Sequence, residues 1–171
     1  MDKGWEYVRA CKPEEACDLF AQAVAEARFI HNPLLLVEAL MALGQTESGL
    51  QHPATAVDIY REAAAVAEHS GEPGSQVQAL IEIAQTLFRQ ERTDEAAAVC
   101  DQLLAVIQKT EEDAPLARAR ALRMLAGIQE KMASQDELAL LWQAAATLYE
   151  VAGDYAHADE CKSQLAFLMG Q

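Results

Sequence analysis

The side chains best suited to chemistry in this chain are few and scattered. His157 and Cys161 lie four residues apart in the run His157, Ala158, Asp159, Glu160, Cys161, so on a helix they share one face and offer two metal-capable ligands. Two ligands do not close a zinc site, and the same spacing describes a polar helix carrying one packed cysteine, so no metal is assigned. His31, His52 and His69 fall at or near helix ends, where turn and dipole roles account for them. Cys11, Cys17, Cys100 and Cys161 form no C-x-x-C pair and read as reduced, packed thiols. Glu111, Glu112 and Asp113 precede a helix start and read as solvated N-terminal charge. There is no G-x-S-x-G, no glycine-rich phosphate loop and no H-E-x-x-H. With no nucleophile and base, no cofactor motif and no metal set, a non-catalytic role is expected.

The elements that must carry these residues are helices. Of 171 residues, 34 are alanine and only ten are aromatic, while Gly is 8 and Pro is 5, a mixture that favours helix over sheet. Turn chemistry divides the chain at Lys12-Pro13, His31 to Pro33, Gly49 to Pro53, Gly71 to Gly74, Arg92 to Asp94, Asp113 to Pro115, Ser134 to Asp136 and Gly153-Asp154, predicting nine helices. Pro13, Pro53 and Pro115 suit first helical turns, and Ser134 with Glu137 reads as a capping box. Gly49, Gly71 and Gly153 stand where a helix C-terminus takes a left-handed residue. Apolar residues recur at three and four, as in Leu80, Ile83, Ala84 and Leu87, so each helix is amphipathic and lacks a core of its own.

Charge excludes several function classes. Thirteen Lys and Arg against 27 Asp and Glu give a formal charge of −14, opposite to what nucleic acid or anionic lipid binding requires. The first twelve residues carry five charges, and no segment approaches the ~20 apolar residues of a membrane helix. A cytoplasmic protein with no nucleic acid and no membrane partner is expected, folded as a single domain over 1–171.

The chain repeats itself. Leu40, Leu43 and Gly44 are followed by Ala56, Tyr60 and Ala63; Leu80, Ile83 and Ala84 by Ala96, Cys100 and Leu103; Leu122, Leu125 and Ala126 by Leu138, Trp142 and Ala145. A fourth copy upstream runs from Gly4 and Tyr7 to Ala16, Phe20 and Ala23. The step from the small residue of the first helix to the anchor of the second is always twelve, and anchors recur at 40, 40 and 42 residues. This pattern resembles the tetratricopeptide repeat family, in the longer variety seen in kinesin light chain and spindle-orientation adaptors. It departs from that family's pattern at Leu138, at Cys100 and in lacking a terminal proline in register. HEAT repeats share the period, but the constant twelve and the small residues favour the tetratricopeptide reading. The resemblance implies an all-α, right-handed superhelical solenoid of antiparallel hairpins. Repeats fall at about 1–31 (with a short opening helix), 34–70, 75–111 and 115–152, with a capping helix at 154–169. Phe20, Tyr60 and Trp142 are expected to fill the space between hairpins.

In that family the first helix of each hairpin lines a concave face, which the register maps onto this chain. The inward columns hold Arg9, Gly49, Arg89 and Lys131; Met41, Ile81 and Arg123; Glu38, Gln78 and Arg120; and Trp5, Gln45, Gln85 and Gly127, with Phe88 and Met124 flanking. The expected binding groove is therefore Arg9, Met41, Gln45, Gln78, Ile81, Gln85, Phe88, Arg89, Arg120, Arg123, Met124 and Lys131. Arg9, Arg89 and Lys131 sit near helix C-termini, where the macrodipole alone explains a cation. Arg120 and Arg123 lie in the first half of their helix, where it does not. The expectation is a groove taking an extended or helical peptide, its apolar side chains held by Met41, Ile81, Phe88 and Met124 and its carboxylates or C-terminus by the arginines. The carboxylate clamp of chaperone-binding relatives is not implied, because Met41, Gln45, Glu82 and Met124 occupy its positions. The partner is another protein or peptide, acidic on this reading. The alternatives are a homodimer or regulatory module mating through Trp5 and Tyr7 or through Phe167, Leu168 and Met169, a fragment of a longer array, and a helical enzyme or metal protein.

Overall fold

The computed structural model describes Gly4 and residues 12–109, 115–130 and 133–170. Trp5, Tyr7, Arg9, Cys11, Glu111, Glu112, Asp113 and Lys131 lie outside the described residues, as does all of the expected opening helix except Gly4, which is helical. Eight full helices occupy the described residues: α1 (Pro13–Phe29), α2 (Pro33–Gly49), α3 (Pro53–Ser70), α4 (Pro73–Arg89), α5 (Thr93–Lys109), α6 (Pro115–Gln129), α7 (Gln135–Val151) and α8 (Tyr155–Leu168). The fold is all-α, as the composition predicts.

Helix starts are spaced by twenty residues at every step but one, the step from Thr93 to Pro115 being twenty-two. All five prolines open a helix, at the position where a missing N–H costs no intrahelical bond. Side-chain caps reinforce three starts. Asn32 Oδ1 accepts from the Leu35 N–H at 3.1 Å, Asp154 Oδ1 accepts from the His157 N–H at 3.3 Å, and Ser134 and Glu137 form the expected capping box.

The helix ends share one solution. At 31, 51, 71, 91 and 153 the chain turns through a left-handed residue, with φ of 53° at His31, 63° at Gln51, 71° at Gly71, 59° at Glu91 and 77° at Gly153. Where the bonds are described, the next N–H reaches back to the carbonyl five residues earlier, as Asn32 to Ala27, His52 to Glu47, Glu72 to Ala67 and Asp154 to Tyr149. Gly71 and Gly153 are as expected. Gly49 is a correction: it is the last helical residue of α2, and Gln51 takes the left-handed position because the helix runs on to Gly49 before turning. Left-handed backbone strains an L-residue but not glycine. Gln51→Gly is therefore expected to stabilise the protein by about 0.5–1 kcal/mol. Gly71→Ala should lose about 1 kcal/mol by the same logic. Urea unfolding of the two variants checks the opposite signs.

The chain divides into two compact units, Met1–Gln90 and Glu91–Gln171. The division falls between α4 and α5, the two helices of the third repeat in the sequence register. In the first unit each helix from α1 to α4 packs on the next, and α2 also touches α4. Phe20 and Tyr60 are 1% exposed, and each lies against a glycine of the preceding helix. A Cβ placed on Gly4 would stand 2.5 Å from Phe20 Cε1, and one on Gly44 would stand 2.5 Å from Tyr60 Cε1. The absent side chain makes room for the ring, so these aromatics pack within their own hairpins and are not confined to the space between hairpins.

In the second unit α5 packs on α6, α6 on α7, and α7 on α8. Its core gathers Ala119, Ala145, Ala146, Tyr149, Ala158 and Cys161, with Leu122, Trp142 and Leu148 packed around them. Tyr149 stacks on the His157 ring at a centroid distance of 5.2 Å. Helix α8 turns Asp159, Glu160, Lys162 and Gln164 to solvent, as expected of a capping helix, but leaves Phe167 and Met169 exposed as well.

Candidate functional site

The α2 and α4 helices are the first helices of successive repeats, and a cleft of about 480 Å³ opens along them. Its walls are Leu34, Val37, Glu38, Met41 and Gln45 from α2 and Gly74, Ser75 and Gln78 from the first turns of α4. These positions follow from helix geometry: Leu34, Glu38, Met41 and Gln45 are spaced four, three and four, one stripe of α2. Gln78 stands forty residues after Glu38, in the same column. Three of the expected groove residues, Met41, Gln45 and Gln78, thus meet, together with Glu38 from the same columns. Sequence reasoning missed Leu34, Val37, Gly74 and Ser75. Leu34 and Gly74 were legible, because they lie one turn N-terminal to Glu38 and Gln78 and extend that column.

The other expected residues do not join this cleft. Ile81 and Met124, expected to grip a ligand, are 4% and 7% exposed and are core residues. Both are covered by packing between helices and have almost no surface to offer, although Ile81 shares the column of Met41, which lines the cleft. Gln85 is half-buried and Phe88 is exposed on α4. Arg89 reaches back to α2, its Nη2 donating to Ser48 Oγ at 3.4 Å and to Thr86 Oγ1 at 3.3 Å, beside a small hollow formed with Gln51, Pro53 and Gln90. This is a bridge between two helix C-termini, the structural role the macrodipole favours.

In the second unit, Arg123 of α6 donates to Glu160 of α8 at 3.3 Å. Arg123 occupies the Met41 column. If α8 is aligned as a further first helix, with Ala166 forty residues after Ala126, then Glu160 occupies the Gln78 column. Where the first unit has an open cleft, an ion pair spans the equivalent seam. The expectation that Arg123 stands ready for a ligand is corrected, because its charge already has a partner. Arg120 is half-buried near Tyr149 and Asp154.

Among the described residues the three thiols are held protonated. Burial, then the Glu47 carboxylate beside it, pushes the Cys17 thiol up to about 11, and burial pushes Cys100 up to about 12. Burial also raises Cys161, with Arg123 opposing. Protonated thiols of this kind are poor nucleophiles and poor ligands. His157 Nδ1 lies 2.7 Å from Asp154 Oδ2 while its ring stacks on Tyr149, and Cys161 is fully buried. Among the described residues no three His, Cys, Asp or Glu side chains gather as a metal group, and no helix is long and apolar enough to cross a membrane.

No protein-family model matches the sequence, and no curated protein matches it. Solved structures do match in fold. The nearly identical TPR-like repeats of a kinesin-light-chain-like protein from Podospora anserina superpose over 98% of this chain and 91% of theirs, with a TM-score of 0.56 and 17% identity. The fold is a tetratricopeptide-type helical repeat. Aspartyl phosphate phosphatase F from Bacillus subtilis matches 98% of this chain and 47% of its own, with a TM-score of 0.61 and 17% identity. A Rap protein complexed with competence and sporulation factor matches 98% of this chain and 50% of its own, with a TM-score of 0.63 and 16% identity. The chain therefore spans about half the length of these last two tetratricopeptide-type proteins.

Proposed function

We propose that this chain is a non-catalytic protein-interaction scaffold that holds an extended segment of a partner protein in the α2–α4 cleft. The observation that carries the reading is the convergence of Glu38, Met41, Gln45 and Gln78 on one open cleft in a repeat fold. The mixed lining suits a peptide: Leu34 and Met41 offer apolar contact, while Gln45, Gln78 and Ser75 offer donors and acceptors for a main chain. From Leu34 to Gln45 the stripe rises about 16 Å, the length of about five extended residues. The Rap structure of similar fold is a complex with competence and sporulation factor, which supports the reading by analogy of architecture.

Gly74 provides the test. A Cβ there meets nothing within 4 Å, so a large side chain can be added without a clash at its root and will project into the cleft mouth. Gly74→Phe is expected to keep the wild-type melting curve and to lower affinity for any cleft-bound peptide at least tenfold. Unchanged affinity in that variant would remove the cleft from the binding surface. Self-association through the α8 end is a second reading, supported by Phe167 and Met169 at 80% and 60% exposure. Sedimentation velocity over a wide concentration range tests it, a strict monomer being the result against it.

A further inference from the structure

We infer that the α2–α4 cleft selects a cationic segment, one that places a Lys or Arg flanked by aliphatic residues against Glu38; this rests on the scaffold reading above and reverses the acidic partner expected from the arginine columns. Glu38 is the one ionisable side chain among the eight lining residues. It is exposed, and no ion pair or hydrogen bond engages it among the described residues. Among the described residues of this unit the cations are placed elsewhere. Arg28 pairs with Glu62, Arg61 with Asp58 and Lys12 with Glu15, while Arg89 bridges to Ser48 and Thr86.

The wider field has the same sign. Residues 12–90 carry eleven Asp and Glu against four Lys and Arg, so an approaching cation is attracted before it makes contact and an approaching anion is repelled. The apolar wall completes the fit, because lysine and arginine lay a hydrocarbon stem along apolar surface while the charged head stays at its edge. Leu34 and Met41 provide that surface on the same stripe as Glu38, one helical turn away on either side, with the buried Val37 forming the floor beneath them. An acidic segment would instead set a carboxylate beside Glu38, with no arginine among the described residues lining the cleft to receive it.

The test uses the full chain and acetylated, amidated heptapeptides whose central residue is Lys, Gln or Glu, with neighbours varied over Leu, Val, Met, Gln and Ser. Affinities are measured for the wild type, Glu38→Gln and Gly74→Phe at low and at high salt. The wild type is expected to bind Lys-centred peptides at least tenfold tighter than Glu-centred ones. Glu38→Gln should reduce that ratio to below threefold, and high salt should compress it in the wild type. Glu-centred peptides binding as tightly as Lys-centred ones, while Gly74→Phe still abolishes binding, would overturn the charge assignment and leave the cleft reading standing. A Lys preference that survives Glu38→Gln would also overturn it. Binding that ignores Gly74→Phe, or no binding by any peptide, would overturn both.

Discussion

Replacing Gly44 by alanine is expected to destabilise the protein by about 2 kcal/mol, although glycine to alanine inside a helix ordinarily gains about 1 kcal/mol. The reversal follows from the Tyr60 ring, whose Cε1 and Cδ1 would lie 2.5 and 2.8 Å from the new Cβ. A ring that is 1% exposed has no room to retreat, so either α2 and α3 separate or the ring leaves its rotamer. The register itself provides the control. In the next repeat the glycine position holds Ala84 and the aromatic position holds Cys100, a larger residue matched with a smaller one. Tyr60→Cys alone should lose about 3–4 kcal/mol through the cavity it leaves. In that background Gly44→Ala should become favourable by about 1 kcal/mol, because the clash is gone and the helix propensity remains. Urea unfolding of both single variants and the double variant reads the coupling. Additivity to within about 0.5 kcal/mol would show that the two side chains do not determine one another.

The second unit offers a test by contrast. Tyr149→Ala is expected to cost about 3–5 kcal/mol, since the ring is 1% exposed at the centre of the Ala119, Ala145, Ala158 and Cys161 cluster and also loses its stack on His157. Tyr149→Phe, by contrast, should be neutral or stabilising by up to about 1 kcal/mol. The reason is the hydroxyl. Burial raises the Tyr149 pKa, with the nearby Arg123 charge acting against that rise. Yet neither Tyr149 Oη nor Arg123 Nε completes a hydrogen bond of good geometry, and both are buried. Removing an oxygen that is desolvated without a partner removes a cost and keeps the packing. Calorimetric melting of the two variants gives the answer. A loss above about 1 kcal/mol for the phenylalanine variant would show that the hydroxyl is held by a bond worth keeping.

The repeat was legible because it is written in steric terms. Gly44 and Tyr60 are sixteen residues apart in every reading of the chain, and the structure puts one against the other. The prolines at 13, 53 and 115 likewise announced helix starts, since few other positions tolerate them. The arginines were less legible. Column position alone places Arg123 on an inward stripe, but it cannot show that Glu160, thirty-seven residues later, reaches the same place. Ile81 and Met124 illustrate the same limit: Ile81 shares the column of Met41 yet is 4% exposed, so a column places a residue on a stripe without showing whether a neighbouring helix covers it. The cleft was half legible: Glu38, Met41, Gln45 and Gln78 follow from the register and Leu34 and Gly74 extend its column, while Ser75 enters because the α4 N-terminus comes alongside.

The near-constant twenty-residue interval between helix starts has a consequence for how such a chain can grow. Segment 33–72 begins at one proline and stops just short of another, so it is a cassette whose two ends are interchangeable junctions. Splicing a duplicate after Glu72 would offer α4 the same neighbouring surface it meets now, and the one new junction would set the duplicated α2 against α3 in the place α4 takes at present.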